Sequence, residues 1–359
     1  MTAGPGVALI GAGFMGEVHA RAVRAAGLPL VGVTASTPER SALAAARLGV
    51  ETAYPDAAAV LADERVAIVH VLTPNAGHHR LAAAALAAGK HVVCEKPLAT
   101  SVADAADLVA RASASGLVAA VPFVYRFHPL VREMRARVRS GAAGPIASAQ
   151  GAYLQDWLLG PEDDDWRVDP ALGGPSRAFG DIGSHLCDLL EFTTGERITR
   201  LQALSRTVVG ERPASGRVET EDLVGVLAEL DGGAVASLLV SQLAPGRKNA
   251  LVLELHGSAE SLRFEQEQPE QLWIGRRDGS RLQPRDPAAL CADAARLSTL
   301  PAGHPMGYQD AVTAFVRDVA AAVAGAPPEG LPLFADGERA ARITAAVLAS
   351  AGSGGWSEP

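Results

Sequence analysis

A glycine-rich turn after the first apolar segment constrains the fold more than any other feature of this chain. The short apolar run Gly6–Ile10 leads into Gly11-Ala-Gly-Phe-Met-Gly16 and then an alanine-rich helical stretch. In a strand–turn–helix unit the first glycine allows the tight turn, the second lets a pyrophosphate approach the backbone, and the third lets the helix pack closely on the strand. Amides at the helix start then bind the phosphates. The segment predicts a dinucleotide site formed by Gly11, Gly13, Phe14, Met15 and Gly16.

The next hundred residues alternate short apolar runs with helical segments. The predicted strands are Gly6–Ile10, Leu30–Thr34, Ala67–Leu72, His91–Cys94 and Leu117–Val121, and the predicted helices lie near Ala42–Leu48, Arg80–Ala88 and Ala103–Ala114. This order is typical of βαβ units and predicts an α/β fold with a parallel, doubly wound sheet. Because ligands of such sheets bind outside the carboxyl ends of the strands, we expect three loops at one edge. These are the glycine-rich turn, a loop with Thr73, Pro74, Asn75 and His78, and a loop with Glu95, Lys96 and Pro97.

Lysine is rare in this chain, and one lysine follows a predicted buried strand. Only three lysines, Lys90, Lys96 and Lys248, accompany 29 arginines among the 32 basic residues. Arginine stays protonated in proteins, whereas a desolvated lysine can lose its proton and then accept one. Lys96 is therefore a candidate for proton transfer. The alternative is a strand-end lysine whose ammonium group extends to water.

A change of pattern near Pro122 indicates a second domain. A basic helix is predicted over Arg126–Val138, and further strands over Ile146–Trp157, Ile198–Val208, Asp222–Leu230, Ala234–Leu243 and Leu251–His256. Runs of strands with an intervening helix favour an α+β domain on an open, mainly antiparallel sheet. Two helices, Gln309–Ala324 and Glu338–Ala351, close the chain. We divide it into a Rossmann domain of residues 1–122, a substrate and oligomerisation domain of residues 123–335, and a terminal segment, 336–359, packing back on the first domain.

A second cluster of polar residues lies at Gly180-Asp-Ile-Gly-Ser-His185. Asp181 and His185 are four residues apart, so in a helix start they would share one face. Asp181 can cap the helix or stand in its first turn. A structural interpretation stays open at this point, in which Asp181 only caps and His185 is a satisfied, half-buried imidazole.

Taken together, these motifs resemble the glucose–fructose oxidoreductase, inositol dehydrogenase and rhizopine-catabolism (Gfo/Idh/MocA) family. The resemblance extends over nearly the whole chain and rests on the glycine-rich turn, Thr73-Pro-Asn75 with His78, Glu95-Lys-Pro97 and the Asp181–His185 motif. It implies NAD(P)-dependent oxidation or reduction of sugars and cyclitols by a homo-oligomer formed through the C-terminal sheet. It further implies that Lys96, Asp181 and His185 converge on the substrate carbon that exchanges a hydride.

The segment Ala149–Trp157 adds an indication about the substrate. Strand alternation would place Tyr153, Gln155 and Trp157 on one face, where aromatic rings and amides suit a sugar ring. An ordinary sheet face against a loop is the alternative. Tyr153–Trp157 also resembles a subgroup that includes levoglucosan-type and other sugar-3-dehydrogenases. Arg167 and His304 are expected at the same pocket, although His304 could equally be a surface residue.

Two positions depart from the family pattern. Val124 stands before Tyr-Arg where many members have asparagine, which puts that contact in doubt. After the second strand, an NAD site usually has an acidic residue for the ribose 2′-hydroxyl, but Ala35 stands there, followed by Ser36 and Thr37. Arg40, one turn further, can reach back to a 2′-phosphate or remain a solvated helix residue. We expect both cofactors to be used, with NADP slightly favoured over NAD.

The composition excludes several other classes. A net charge of −8 without a basic run argues against nucleic acid or an anionic membrane as partner. Neither a signal peptide nor a span of about 18 apolar residues is apparent, three scattered cysteines suit a reducing cytoplasm, and no metal-ligand spacing occurs. The fold could also serve a nicotinamide-dependent glycosidase with recycled cofactor, a biliverdin-reductase-like enzyme, or a non-catalytic NAD(P) sensor. A sensor should lack the set Lys96, Asp181 and His185.

Overall fold

The computed structural model describes residues 4–359 and divides the chain into two compact units. The first contains the chain up to Val124 together with Tyr308–Glu338, and the second contains Tyr125–Gly307 together with Arg339–Pro359.

A six-stranded parallel sheet forms the centre of the first unit. Its strands are β1 (Val7–Ile10), β2 (Leu30–Thr34), β3 (Thr52–Ala53), β4 (Ile68–Val71), β5 (His91–Cys94) and β6 (Ala119–Ala120), in the order β3-β2-β1-β4-β5-β6. The connecting helices are α1 (Phe14–Ala25), α2 (Pro38–Leu48), α3 (Ala57–Ala62), α4 (His78–Ala87) and α5 (Val102–Ser115). All residues of β1 and β4 are buried, as expected for parallel strands covered on both faces. The predicted doubly wound sheet is confirmed, although β3 and α3 were not expected.

The second unit contains an eight-stranded, mainly antiparallel sheet. Its strands are β7 (Ile146–Leu154), β8 (Ile198–Arg206), β11 (Leu223–Leu230), β12 (Val235–Ser241), β13 (Ala250–Gly257), β14 (Ser261–Glu265), β15 (Gln271–Gly275) and β16 (Arg281–Pro284). The order is β16-β15-β14-β13-β7-β12-β11-β8, and β7 pairs with β12 in parallel. The short strands β9 (Glu211–Arg212) and β10 (Gly216–Arg217) form a separate hairpin. This confirms the expected open, mainly antiparallel sheet.

Helices cover one face of this sheet. They are α6 (Pro129–Arg139) and α8 (Ser184–Thr194), which pack on β7, β13, β14 and β15. Two short helices, α7 (Pro170–Gly173) and α9 (Ala292–Leu297), complete the set up to Gly307. On the opposite face Leu204, Leu227, Leu239 and Leu282 are exposed.

Some predicted boundaries were wrong. The helix expected from Arg126 begins at Pro129, because Val124–Phe127 forms a 3-10 turn and proline at the first helical position fixes the start. The strand expected to reach Trp157 ends at Leu154. Strands β14 to β16 were not predicted, although each pairs with the strand before it in sequence.

The two C-terminal helices are assigned to the two units differently from the domain boundaries expected from the sequence. Helix α10 (Tyr308–Val323) packs on α1, where Gln309 donates a hydrogen bond to the Val18 carbonyl. Helix α11 (Phe334–Ser353) contains the division after Glu338. The chain after it belongs to the second unit, where Ser357 pairs with Leu201 of β8. Helical periodicity indicates these helices but not their packing partners.

The structure also bears on two properties inferred from composition. Within residues 4–359 no helix is long and apolar enough to cross a membrane. Cys94, Cys187 and Cys291 are all free thiols.

Candidate active site

The glycine-rich turn is formed by a close approach of β1 to the chain that leaves β4. Gly11 has a φ of +117°, and a Cβ there would lie 2.4 Å from the Leu72 carbonyl oxygen. At Gly16 a Cβ would lie 2.9 Å from the Gly11 carbonyl oxygen. Both positions therefore require glycine for reasons internal to the protein.

Gly13 differs, because no described residue other than its chain neighbours occupies the space beside it. A Cβ at Gly13 would have no heavy atom within 4 Å. Gly13 precedes α1, whose first turn has no side-chain cap, so the turn's amides are available to an anion. Phe14 is exposed and Met15 half-buried beside them. These features fit the pyrophosphate of a dinucleotide.

The segment after β2 contains the residues expected to select the cofactor. The Ala35 amide donates to Ser41 Oγ at 2.8 Å, and Thr37 caps α2 by accepting a hydrogen bond from the Arg40 amide at 3.2 Å. The Arg40 side chain extends back, and its Nη1 lies 3.0 Å from Ser36 Oγ. The guanidinium therefore reaches back toward Ser36, as the sequence predicts. Binding of a 2′-phosphate by Arg40 stays a prediction.

His78 connects the other two loops of this edge. Its Nδ1 lies 2.8 Å from the Pro97 carbonyl oxygen, and its Nε2 lies 2.9 Å from the Thr73 carbonyl oxygen. Burial lowers the pKa of His78 in spite of these two acceptors. Asn75 is buried, whereas Pro74 is exposed. His78 therefore connects the Thr73 loop to the loop with Pro97.

Lys96 follows β5, as predicted, and its side chain is half-buried. Its backbone amide donates to Oε2 of Glu95 at 3.1 Å. Burial acts to raise the pKa of Glu95, but the hydrogen bond from His19 and the charge of Lys96 bring it below its usual range. A buried, ionised carboxylate thus lies next to the candidate proton-transfer residue.

In the second unit Asp181 lies in a π-helical turn, Phe179–Gly183, that continues into α8. Of the two predicted positions, a helix cap or the first turn, Asp181 has the second, and its own amide donates to the Arg177 carbonyl. Its carboxylate accepts a hydrogen bond from Gln242 Nε2 at 3.2 Å and lies 3.4 Å from Arg167 Nε. π-Helical turns occur often at functional sites.

His185 lies in the first turn of α8 and is buried. Its ring makes an edge contact with Tyr125, with centroids 5.0 Å apart, and a tilted contact with Tyr153 at 6.5 Å. Burial, followed by the charge of Asp181, raises the pKa of Tyr125. The phenol therefore stays neutral, and two aromatic rings fix the plane of the imidazole.

Tyr153, Gln155 and Trp157, for which a role in substrate binding stays a prediction, are connected by a chain of hydrogen bonds. Tyr153 donates to Asn249 Oδ1 at 2.6 Å, Gln155 Nε2 donates to the same oxygen at 3.0 Å, and Trp157 Nε1 donates to Gln155 Oε1 at 2.7 Å. Tyr153 is buried, whereas Trp157 is 36% exposed. The guanidinium of Arg167 lies 5.9 Å from the Trp157 ring. Aromatic, amide and cationic groups are thus held together in fixed orientations.

His304 is separate from this network. Its ring is exposed in a loop, and its Nδ1 lies 3.4 Å from the Ala302 carbonyl oxygen. A role in substrate binding stays a prediction. Among residues 4–359 no group of three His, Cys, Asp or Glu side chains is placed to hold a metal ion.

Three polar residues of this part were missed by sequence reasoning, namely Tyr125, Gln242 and Asn249. Leu154 at the end of β7 pairs with Ser241 on one side and Ala250 on the other. The residues next to those partners are therefore brought beside Gln155 by sheet register alone. No local sequence pattern indicates such a position.

Comparison with known proteins identifies both the Rossmann domain and the C-terminal domain. Residues 6–123 match the family model for the oxidoreductase family with an NAD-binding Rossmann fold, and residues 131–263 match the GFO/IDH/MocA C-terminal domain. Levoglucosan dehydrogenase of Pseudarthrobacter phenanthrenivorans is 32% identical over 98% of this chain and 97% of its own length.

Solved structures give the same result. Levoglucosan dehydrogenase in complex with NADH and levoglucosan has a TM-score of 0.92 at 32% identity, covering 98% of each chain. An inositol dehydrogenase homologue from Azotobacter vinelandii, complexed with NAD+, has a TM-score of 0.91 at 28% identity, covering 100% of this chain and 98% of that one.

The fold, the glycine-rich turn and these matches define an oxidoreductase with an NAD-binding Rossmann domain. The chain belongs to the Gfo/Idh/MocA family. The resemblance inferred from the sequence is thereby confirmed, while the roles of individual residues stay predictions.

Gly13→Val should separate cofactor binding from folding. The added side chain meets open space in the protein, so the fold and its unfolding temperature should be nearly unchanged, whereas the pyrophosphate would lose its approach to the backbone. We expect NADH and NADPH to bind about tenfold more weakly or worse, a loss of about 1.4 kcal/mol or more. Fluorescence titration measures this, with Gly210→Val as a control, since Gly210 has open space beside it and no positive φ. Unchanged affinity in the Gly13 variant would remove the turn from the cofactor site.

Proposed function

We propose that this protein transfers a hydride between NAD(P) and a secondary alcohol or ketone of a sugar, a sugar derivative or a cyclitol. The observation that carries the proposal is the presence of two complete residue sets. The first unit has the dinucleotide turn and Lys96 at one edge of its sheet. The second has Asp181 and His185 beside aromatic and amide side chains.

The proposed roles follow from what alcohol oxidation requires. The nicotinamide, when bound, accepts the hydride, and the hydroxyl proton must pass to a nearby base. Lys96 and His185 are the two candidate acceptors of that proton. Asp181, itself oriented by Gln242 and Arg167, aligns the hydroxyl and the imidazole, as a third group orients a base in other enzymes.

The substrate class rests on the network in the second unit. An apolar ring face suits Trp157, and a rim of hydroxyl groups suits the amides of Gln155 and Asn249. Relatives named for levoglucosan, D-apiose and inositol support a polyhydroxylated ring or chain as substrate. Anhydrosugars, pentoses and cyclitols are therefore the first compounds to assay.

The experiment is a screen of such compounds with both cofactors, followed by the absorbance of reduced nicotinamide, and then a test of Lys96→Ala on the best substrate. Loss of a general acid or base should lower kcat by about 10²–10⁴-fold, with little change in cofactor affinity. Lys90→Ala is the matched control, because Lys90 donates to backbone carbonyls of Asp63 and Val66 and has no proposed role in catalysis. Near-normal turnover by a folded Lys96 variant would refute its role.

The pair in the second unit belongs to the same experiment. Asp181→Ala and His185→Ala should each lower kcat, and the double variant should lose less than the product of the two effects, since members of one relay are not additive. Fully additive losses with an unchanged pH profile would assign both residues to structure instead.

We also propose use of both cofactors with NADP(H) preferred. No acidic side chain stands at residue 35, and Arg40 with Ser36 offers charge and hydrogen bonds to a 2′-phosphate. The relatives seen with NADH or NAD+ support binding of the nicotinamide dinucleotide without deciding this preference.

Ala35→Asp should shift the preference toward NAD(H), because a carboxylate there repels a 2′-phosphate and can accept from a ribose hydroxyl. Arg40→Leu should weaken NADPH binding while leaving NADH binding nearly unchanged. Titration of both reduced cofactors at one salt concentration measures the ratio. A wild type that binds NADH more than about tenfold tighter than NADPH, a difference of about 1.4 kcal/mol, contradicts the proposal.

The open face of the second sheet supports a homo-oligomer. Register places Leu204, Gly225, Leu239 and Ala152 in one row across four strands. Leu204, Leu227, Leu239 and Leu282 on this face are between 46% and 58% exposed. Next to them Arg263 lies 3.2 Å from Glu265 and 4.0 Å from Glu254, so a second copy would meet both signs of charge. Exposed apolar patches of this kind mark interaction sites.

Leu239→Arg should dissociate the proposed oligomer, because it would bury a charge in the centre of the interface. Light scattering after size exclusion should give a multiple of the chain mass for the wild type and a smaller mass for the variant. Leu43→Arg, on an exposed position of α2, is the control. A wild type that is monomeric at micromolar concentration would exclude this role of the sheet.

A further inference from the structure

A buried chain of hydrogen bonds in the first unit ends at the backbone of Lys96. His70 Nδ1 lies 2.9 Å from His19 Nδ1, and His19 Nε2 lies 3.1 Å from Glu95 Oε1. The other oxygen of Glu95 accepts the Lys96 amide at 3.1 Å. His19 and His70 are 0% and 1% exposed, so the chain excludes water.

The direction of these hydrogen bonds follows from the ionised state of Glu95. A carboxylate can only accept, so His19 carries a proton on Nε2. One further proton lies between the two Nδ1 atoms. Nε2 of His70 is buried and has no partner among residues 4–359. A buried N–H without an acceptor is rarer and costlier than a lone pair without a donor, so His70 carries its proton on Nδ1 and donates to His19.

This chain connects three parts of the first unit that the proposed reaction needs. His19 lies on α1, which begins at the glycine-rich turn, His70 lies on β4, which leads to the Thr73 loop, and Glu95 directly follows β5. Displacing the imidazole of His19 would free one oxygen of Glu95 and allow its carboxylate to rotate. The amide of Lys96 would then lose its fixed acceptor.

We propose that His19 and His70 are positioning residues that act through Glu95 to fix Lys96 at the end of β5. The expected effect on kcat rests on the proposed function, whereas the positioning of Lys96 does not. Removing one partner of a buried hydrogen-bonded pair lowers stability whatever its role, because the other partner is left unsatisfied. The positioning role predicts in addition a change at Lys96 itself, seen in kcat and in the hydrogen exchange of its backbone amide.

The test compares His19→Leu with His19→Gln. Glutamine can place an amide donor near the position of the imidazole Nε2, whereas leucine removes the donor to Glu95. We expect kcat to fall by about tenfold to a hundredfold in the leucine variant, as for a small displacement of a reacting group, and to be largely retained in the glutamine variant. The dissociation constant for NADH should stay near the wild-type value in both. His79→Leu is the control, since His79 bonds to Asp107.

A second readout does not depend on activity. Labelling with ¹⁵N-lysine gives backbone amide signals from only three lysines, and Lys96→Arg identifies the relevant one. We expect slow hydrogen exchange at Lys96 in the wild type and the glutamine variant, and faster exchange in His19→Leu. Lys90, whose amide bonds to the Ala85 carbonyl, should be unchanged and serves as internal reference.

The outcomes separate this inference from the proposed function. Unchanged exchange at Lys96 and unchanged kcat in a folded His19→Leu protein overturn the positioning role. If His19→Leu does not fold, His70→Leu tests the same chain, because His70 is one hydrogen bond further from Lys96. Hydrogen exchange at the Lys96 amide should still become faster in this variant. An exchange rate equal to that of the wild type would overturn the inference. A wild type that oxidises no sugar or cyclitol refutes the proposed function, while the exchange measurement still decides the chain.

Discussion

The contact between Gly11 and the carbonyl of Leu72 is the constraint on which the cofactor site of the first unit depends. It brings the turn after β1 against the chain that leaves β4, at a distance that no side chain permits. Because β1 and β4 are neighbouring parallel strands, both loops open at the same edge of the sheet. His78 extends the arrangement by joining the Thr73 loop to Pro97 after β5. One close backbone contact and one buried histidine therefore align three loops.

In the second unit, buried arginines hold an irregular loop segment in place. Arg212, on the β9–β10 hairpin, donates to the carbonyl groups of Leu158 and Gly160 at 2.9 Å and is almost fully buried. Asp222 provides its counter-charge at 3.6 Å and also accepts from Arg177. A buried charge is costly unless it is paired and hydrogen-bonded, and here carbonyl groups and a carboxylate supply both. The irregular segment that leads to Arg167 is thereby held in one conformation.

The sequence predicts those parts of the structure that depend on local chemistry. Gly11–Gly16 and Glu95–Pro97 could be located because a strand followed by a particular turn has few alternatives. The π-helical turn at Asp181 could not, because an ordinary helix start has the same residue pattern. Gln242 and Asn249 were missed because local pattern indicates neither pairing that brings them to the end of β7. The parallel pairing of β7 with β12 places Gln242 there, and the antiparallel pairing of β7 with β13 places Asn249. Long-range register, rather than propensity, sets that part of the candidate site.

The two units differ in how their binding groups are made, and this difference bears on specificity. In the first unit the phosphate site consists of main-chain amides, which a substitution can alter only by adding a side chain at a glycine. In the second unit the groups that contact Asp181 are the side chains of Gln242, just after β12, and of Arg167. The bonded pair Gln155 and Asn249 lies just after β7 and just before β13. Each can change without disturbing the sheet hydrogen bonds, because those use main-chain atoms. Under the proposed function, a change of substrate would come mainly from substitutions of these side chains, while the first unit keeps Lys96 and one cofactor geometry.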